Sequence, residues 1–257
     1  MPPAARSNAR SLYVQVADLL RTQIKAGEYD PETPLPREED LIKRHQVSRD
    51  TVRKALALLT QEGLIYSTGR NRYVRVYSPL EWSLHRFKHS STREDEGQES
   101  LDAWSRAVVE QGRTPRQEVK VSMEKPPKEI AQGLEVDPGE FVVVRRRIRY
   151  VDDVPYQLST SYFPRDVVEG TPLMEEGDVS AKGGILAASG HPQKRYLDRI
   201  KSRPPEHDEV EKLGLPQGTS VIEHTRIGYD ADGRPLRLMV TIAPGDRHVL
   251  VYEVPAE

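Results

Sequence analysis

The 257-residue chain contains no cysteine. Disulfides and thiolate metal sites are thereby excluded, and a reducing cytoplasm is the natural compartment. No apolar run approaches the roughly 18 residues of a membrane span, and Met1-Pro2-Pro3-Ala4-Ala5-Arg6 lacks the apolar core of a signal peptide. A membrane partner is not expected. Catalytic signatures are missing as well. The seven histidines are scattered, and there is no His-Glu-x-x-His, no Gly-x-Ser-x-Gly and no glycine-rich loop ending in Lys-Ser or Lys-Thr. No metal or cofactor is expected, and His191 in Gly190-His191-Pro192 reads as structural.

An excess of charge is also missing overall, since 38 Lys and Arg face 40 Asp and Glu for a net charge of −2. The balance is local, however. Residues 1 to 78 hold 13 basic against 9 acidic residues and the remainder 25 against 31, so the first part is positive and the rest negative. Positive charge in one part suits phosphate contact, and an acidic remainder limits nonspecific adhesion to nucleic acid.

The positive part carries the clearest pattern. Ser48 is a helix N-cap, and Val52, Ala55, Leu56 and Leu59 recur at three- and four-residue intervals as one apolar stripe until Gly63. Arg49 and Arg53 stand one turn apart near the start of that helix, where a recognition helix presents side chains to base edges and phosphates. Upstream, Leu12, Val16, Leu19, Leu20 and Ile24 predict a helix ending at Gly27. Pro31, Pro34 and Pro36 exclude helix from the connection. Residues 37–45, with Leu41 and Ile42 inward, predict a short helix before a Gln46-Val47 turn. Leu64-Ile65-Tyr66 and Arg72-Tyr73-Val74-Arg75-Val76, separated by residues 67–71, predict a hairpin. The sum is a winged helix-turn-helix.

Residues 10 to 77 also resemble the DNA-binding domain of GntR-type bacterial regulators. The resemblance rests on Gly-Glu-Tyr at 27 to 29, Leu-Pro-x-Glu at 35 to 38, Val-Ser-Arg-x-Thr-Val-Arg at 47 to 53 and Glu-Gly-Leu-Ile at 62 to 65. It implies DNA contacts from Ser48, Arg49, Thr51 and Arg53, and from Gly69 and Arg70 at the wing tip. Two positions depart from the family. Glu39 stands where an Arg is usual and Asn71 replaces a wing glycine; either Arg37 replaces the lost contact or the half-site preference has changed.

Residues 78 to 99 read as a strand or hinge element followed by a flexible linker, given the polar run His89 to Gly97. Beyond it the chain echoes itself. Val136 to Val144 and Leu215 to Ile222 are each followed by an Arg-bearing strand and a turn, Asp152-Asp153-Val154-Pro155 in the first copy and residues 230–235 in the second. Two paired hairpins in one antiparallel sheet are predicted. Helices near 101–111, 127–134 and 205–213 would cover it, giving an α+β domain.

Residues 100 to 257 resemble the UTRA ligand-binding domain of the HutC subfamily, whose fold is similar to chorismate lyase. The match lies in Gly112-Arg113-Thr114-Pro115, in Arg147-Ile148-Arg149-Tyr150 with Asp152 to Pro155, and in Tyr229 to Pro235 with Gly245-Asp246-Arg247. The resemblance implies a small anionic effector held by Arg147 and Arg149, with Arg145 third in the row. Guanidinium forks suit carboxylate or phosphate; without the resemblance, the same strand reads as an exposed basic face. Ser105, Ser159 and Arg237 fall at further effector positions. Ser159 and Arg237 stand where sugar-phosphate-binding relatives carry acids, which argues for a different anion. Gly183-Gly184 is either ligand-lining or a plain turn.

The expectation is therefore a winged head over residues 1–77, a linker over 78–99 and an effector-binding, dimerising body over 100–257. Such a protein would be a homodimeric repressor, released from an inverted-repeat double-stranded DNA operator by a small anion. An enzyme on the lyase-like fold and a ligand-independent DNA-binding protein are the alternatives.

Overall fold

A computed structural model describes residues 11–29, 35–65, 79–83, 102–177, 179, 184–215 and 218–252. The chain divides into two compact units, Met1–Ser78 with Pro216–Thr219, and Pro79–Leu215 with Ser220–Glu257.

The first unit is built from three helices, α1 (Leu12–Lys25), α2 (Glu38–His45) and α3 (Arg49–Gln61). The α3 stripe is fully inside, with Val52, Ala55 and Leu59 at 0% exposure and Leu56 at 1%. Val16, Ala17, Leu20, Ile24, Leu35, Leu41 and Ile65 complete one core. Leu12 and Leu19, which share the helical spacing, are instead 59% and 54% exposed. Helical geometry explains the difference. Each successive residue turns about 100°, so both leucines fall on the flank, roughly a quarter turn or more from the centre set by Val16, Ala17, Leu20 and Ile24. Arg21 pairs with Glu62 at 2.6 Å and with Asp18, joining α1 to the end of α3. Gln46 makes the turn between α2 and α3 in the left-handed conformation, φ +51°. The hairpin expected downstream, with Gly69 and Arg70, lies outside the described residues.

The second unit is a six-stranded antiparallel sheet in the order β2-β3-β4-β7-β6-β5. Its strands are β2 (Pro115–Glu124), β3 (Val142–Val151), β4 (Val154–Pro164), β5 (Arg195–Arg203), β6 (Val221–Tyr229) and β7 (Pro235–Pro244). The two hairpins read from the repeat are β3-β4 and β6-β7, joined through β4 and β7. Asp152 and Asp153 form the first turn at φ +50° and +60°. This left-handed pair matches the twist of a two-residue hairpin. Asp152 is held there by the Thr114 N–H at 2.9 Å and by Arg113 at 2.7 Å, so two sequence motifs meet in space. The edge strands β2 and β5 were not foreseen.

Helices α4 (Ala103–Glu110), α5 (Lys128–Leu134) and α8 (His207–Leu213) match the expected covering segments; α6 (Arg165–Val168) and α7 (Ile185–Ala188) are additional single turns. Leu134 of α5 packs on Val142, Val144, Ile227 and Leu238, and Leu213 of α8 lies with Val221 and Ile242. Gly133 permits this approach, because a Cβ there would come within 2.5 Å of Leu238 Cδ1. Alternation therefore sends Val143, Arg145, Arg147 and Arg149 to the opposite face. There, Val143 joins Phe163, Val167, Val168 and Leu173 in a separate cluster.

A second, two-stranded parallel sheet pairs β1 (Leu80–Ser83) with β8 (His248–Val251). β1 lies in the segment read as a connector, and residues 84–101 lie outside the described ones. Arg247 is buried at 1% exposure and donates to the carbonyls of Pro155 at 2.7 Å and Leu213 at 3.2 Å. The Gly-Asp-Arg motif is thus a clasp between β4, α8 and β8. Beside it His248 Nδ1 lies 3.0 Å from the Pro244 carbonyl, and burial pushes this imidazole down to about 4. No described helix is long and apolar enough to cross a membrane.

Candidate DNA-reading helix and anion site

The start of α3 is organised by its cap. Ser48 Oγ accepts from the Thr51 N–H at 3.2 Å and lies 2.8 Å from Thr51 Oγ1. This satisfies one of the free donors at the helix start and fixes the turn that carries Arg49 and Arg53 outward. Arg49 is exposed. Arg53 is 65% exposed and reaches back to the nearly buried Glu38 of α2 at 3.4 Å. The Leu-Pro-x-Glu glutamate therefore orients a recognition-helix arginine, a relation not drawn from the sequence. Arg37 is exposed at the N-cap of α2, directly before Glu38, Glu39 and Asp40. Lys54 pairs with Asp50 at 2.8 Å one turn apart, which removes it from the free cations of this surface.

The body presents the opposite electrostatic arrangement at one row of arginines on the sheet. On the face away from α5 and α8, Arg145 stands opposite Ser161, Arg147 opposite Ser159 and Arg149 opposite Gln157. Arg149 is 7% exposed and pairs with Asp102 at 2.8 Å, its guanidinium 4.9 Å from the Trp104 ring centroid. Asp102 caps α4 by accepting from the Ser105 N–H at 2.7 Å. Burial pushes its carboxyl up, but Arg149 and the Ser105 hydrogen bonds outweigh this and hold it below the usual range. Ser105 is thus beside the cluster through Asp102.

Arg147 and Arg237 are different. Arg237 donates to Ser161 Oγ at 2.8 and 3.1 Å, and Arg147 reaches the same oxygen at 3.4 Å. Neither has a carboxylate within ion-pair distance among the described residues. Burial pushes both guanidiniums down; repulsion from Arg149, Arg237 and Arg145 adds to it at Arg147 and repulsion from Arg149 and Arg226 at Arg237, with Asp102 opposing both, so that Arg237 falls to about 10 and Arg147 well below its usual value. An arginine guanidinium stays charged in proteins at neutral pH. A pair of half-buried cations that converges on one hydroxyl and has no ion-paired carboxylate among the described residues is suited to an incoming anion.

Arg145 departs from the expectation of a third anion ligand. It is fully buried, and its guanidinium donates to the carbonyls of Leu173 at 2.8 Å, Glu175 at 2.6 Å and Gly177 at 2.8 Å. It holds the chain that follows the Pro172–Met174 turn of 3-10 helix. Ser159 is fully buried next to Arg147. Asp102 and Ser161 were not singled out from the sequence. Asp102 has a local signal, an Asp three residues before Ser105 at a helix start, whereas Ser161 has none. Gly184 is exposed at φ +90° before α7, and Gly183 lies outside the described residues. Among the described residues, no group of three or more His, Asp or Glu could hold a metal ion.

Residues 12–74 match the family described as bacterial regulatory proteins, gntR family, and residues 110–249 match the UTRA domain. The chain is similar to the HTH-type transcriptional regulator GgaR of Escherichia coli, 27% identical over 243 residues, 94% of this chain and 90% of the relative. It is also similar to the HTH-type transcriptional repressor NagR of Bacillus subtilis, 25% identical over 243 residues that cover 94% and 93% of the two chains. The crystal structure of PhnF from Mycobacterium smegmatis shares the fold, with a TM-score of 0.59 at 21% identity over 94% of this chain and 100% of the other.

Proposed function

Because the chain belongs to the gntR family of bacterial regulatory proteins and carries a UTRA domain, we propose that it is a repressor released from its operator by a small anion. That it is a transcriptional regulator with a DNA-binding head, and not an enzyme, follows from the family. The repressor reading draws support from the repressor NagR, which matches over almost the whole chain.

The observation that carries the effector reading is the convergence of Arg147 and Arg237 on Ser161 Oγ, with no carboxylate in ion-pair contact with either among the described residues and Asp102 acting on them only from a distance. A domain that gained nothing from this charge would lose stability by keeping it. Arg49, Thr51 and Arg53 read the operator, with Ser48 fixing their turn and Arg37 and the wing residues Gly69 and Arg70 adding backbone contacts. The single recognition helix of each chain calls for a homodimer on an inverted repeat, with the body as the joining part.

The test begins with full-length protein and operator fragments selected from random DNA. The selected sites should be inverted repeats, and the protein should sediment as a dimer. Inorganic phosphate and a series of carboxylates are then titrated into the complex, with Arg147→Ala in parallel. At least one anion should weaken operator binding, and Arg147→Ala should keep operator affinity while losing that response. A variant that responds as the wild type does would overturn the site, and a monomer on a single half-site would overturn the dimer.

A further inference from the structure

We propose, resting on that reading, that a buried polar row from Arg147 to Trp82 carries the effect of the bound anion to the first strand after the head. The row crosses four strands in register. Arg147 of β3 stands opposite Ser159 of β4, Ser159 opposite Thr241 of β7, and Thr241 opposite His224 of β6. Each step is about 4.8 Å, and all four residues lie on the arginine face.

The row is buried and incomplete. Ser159, Thr241 and His224 are at 0% exposure, yet Ser159 Oγ, Thr241 Oγ1 and His224 Nδ1 have no hydrogen-bond partner among the described residues. Buried polar atoms almost always have partners, so three adjacent exceptions call for a physical reason. The far end of the row is fixed. His224 Nε2 lies 2.7 Å from Asp198 Oδ1, and Arg226 forks onto the same carboxylate at 2.6 and 2.9 Å. Burial pushes Asp198 up, but His224 and Arg226 hold it below the usual carboxylate range. In the neutral imidazole the carboxylate favours the tautomer with the hydrogen on Nε2, and Nδ1 is then the acceptor.

That single acceptor gives the row a direction. An anion that draws Arg147 away from Ser161 and over Ser159 completes a chain of donors. Arg147 donates to Ser159 Oγ, the Ser159 hydroxyl to Thr241 Oγ1, and the Thr241 hydroxyl to His224 Nδ1. The imidazole then turns against its neighbour Trp82, which is 3% exposed and meets it edge-on with centroids 5.2 Å apart at 76°. Trp82 belongs to β1, which begins just after Ser78 and is hydrogen-bonded to β8 rather than to the six-stranded sheet. A displacement of Trp82 is therefore taken up by the strand that leads out of the head, and the required two-state element is local.

The two tryptophans of the chain report the two ends of this row, since Trp104 lies over Arg149. Full-length Trp82→Phe and Trp104→Phe proteins are titrated with inorganic phosphate and followed by fluorescence. Both should change with one midpoint. Thr241→Val, which deletes a hydroxyl and keeps the shape, should abolish the Trp82 change and leave the Trp104 midpoint as it was. His224→Phe should do the same, and the Trp104 response in each variant verifies that the body is folded. A Trp82 response that survives both substitutions, or a silent Trp82 beside a responding Trp104, would overturn the row. If Trp104 is silent as well, the anion site itself is wrong and the row falls with it.

Discussion

The head and the body use the same residue, arginine, in opposite ways. In the head the core is apolar throughout, and Arg49 and Arg53 stand in solvent on a helix whose other side is closed. Their charge costs little to maintain and is available to DNA. In the body Arg145, Arg149 and Arg247 are buried, and Arg147 and Arg237 are half-buried, so each needs a named partner or a stability cost is left standing. Arg149 has Asp102, Arg145 has three carbonyls and Arg247 has two more. Arg147 and Arg237 share one hydroxyl. The comparison separates charge kept for an outside partner from charge used to hold the fold.

The comparison breaks most visibly at Asp102. Removing this carboxylate strands the Arg149 guanidinium, so Asp102→Ala should lower the stability of the body by about 3 to 5 kcal/mol. Denaturant unfolding followed by Trp104 fluorescence measures it, and a loss comparable to that of a surface ion pair would mean that Arg149 is not dependent on Asp102.

Acidification gives the next effect. The folded value of His248, about 4, lies below the ordinary histidine value, so the unfolded chain binds the extra proton first. Its contribution is present above about pH 6.5 and is lost as pH falls toward 4, amounting to roughly 3 kcal/mol at about 1.4 kcal/mol per unit. Thermal unfolding of the body should therefore weaken across that window, and His248→Asn should flatten the dependence. An unchanged slope in the variant would assign the acid sensitivity elsewhere.

Substitutions on the recognition helix sharpen the other side of the contrast. Arg49→Ala and Arg53→Ala should each cost about 1 to 3 kcal/mol of operator affinity at fixed salt, with the circular dichroism unchanged. Normal affinity in both would remove α3 from the interface. A smaller and favourable effect is expected at Gln46, whose left-handed φ carries a steric cost for a side chain. Gln46→Gly should raise head stability by about 1 kcal/mol or less, read as a shift in the denaturation midpoint.

The two regions also differed in how far their sequence could be read. In the head the apolar stripe of α3, the Ser48 cap and the Gln46 turn are local, and the core followed from spacing alone. Leu12 and Leu19 show that helical spacing marks a helix without marking the centre of its buried stripe, since both are exposed. In the body the hairpins were legible from their turns, since Asp152-Asp153 and residues 230–234 close strands of adjacent sequence. The edge strand β5 was not, because its charged, largely exposed residues lack the alternation of a half-buried strand. The site was half legible. Arg147 and Arg149 belong to one strand, but Asp102 pairs with Arg149 across 47 residues and Arg237 meets Ser161 across 76. The first is made by the docking of the α4 cap on the sheet and the second by sheet register, and spacing along the chain encodes neither. Arg145 shows the same limit, since membership of the arginine row gave no sign that its charge is consumed by the Leu173, Glu175 and Gly177 carbonyls.

The most direct test of the uncompensated charge in the body is thermal unfolding of the wild type and Arg147→Met, each with and without inorganic phosphate. The methionine keeps most of the side-chain volume and removes a half-buried cation that no described carboxylate touches within ion-pair distance. The account predicts that Arg147→Met melts higher than the wild type without phosphate, by a gain of about 1 kcal/mol or more, and that the phosphate-dependent rise seen in the wild type is absent from the variant. A variant that melts lower and still rises with phosphate would contradict it.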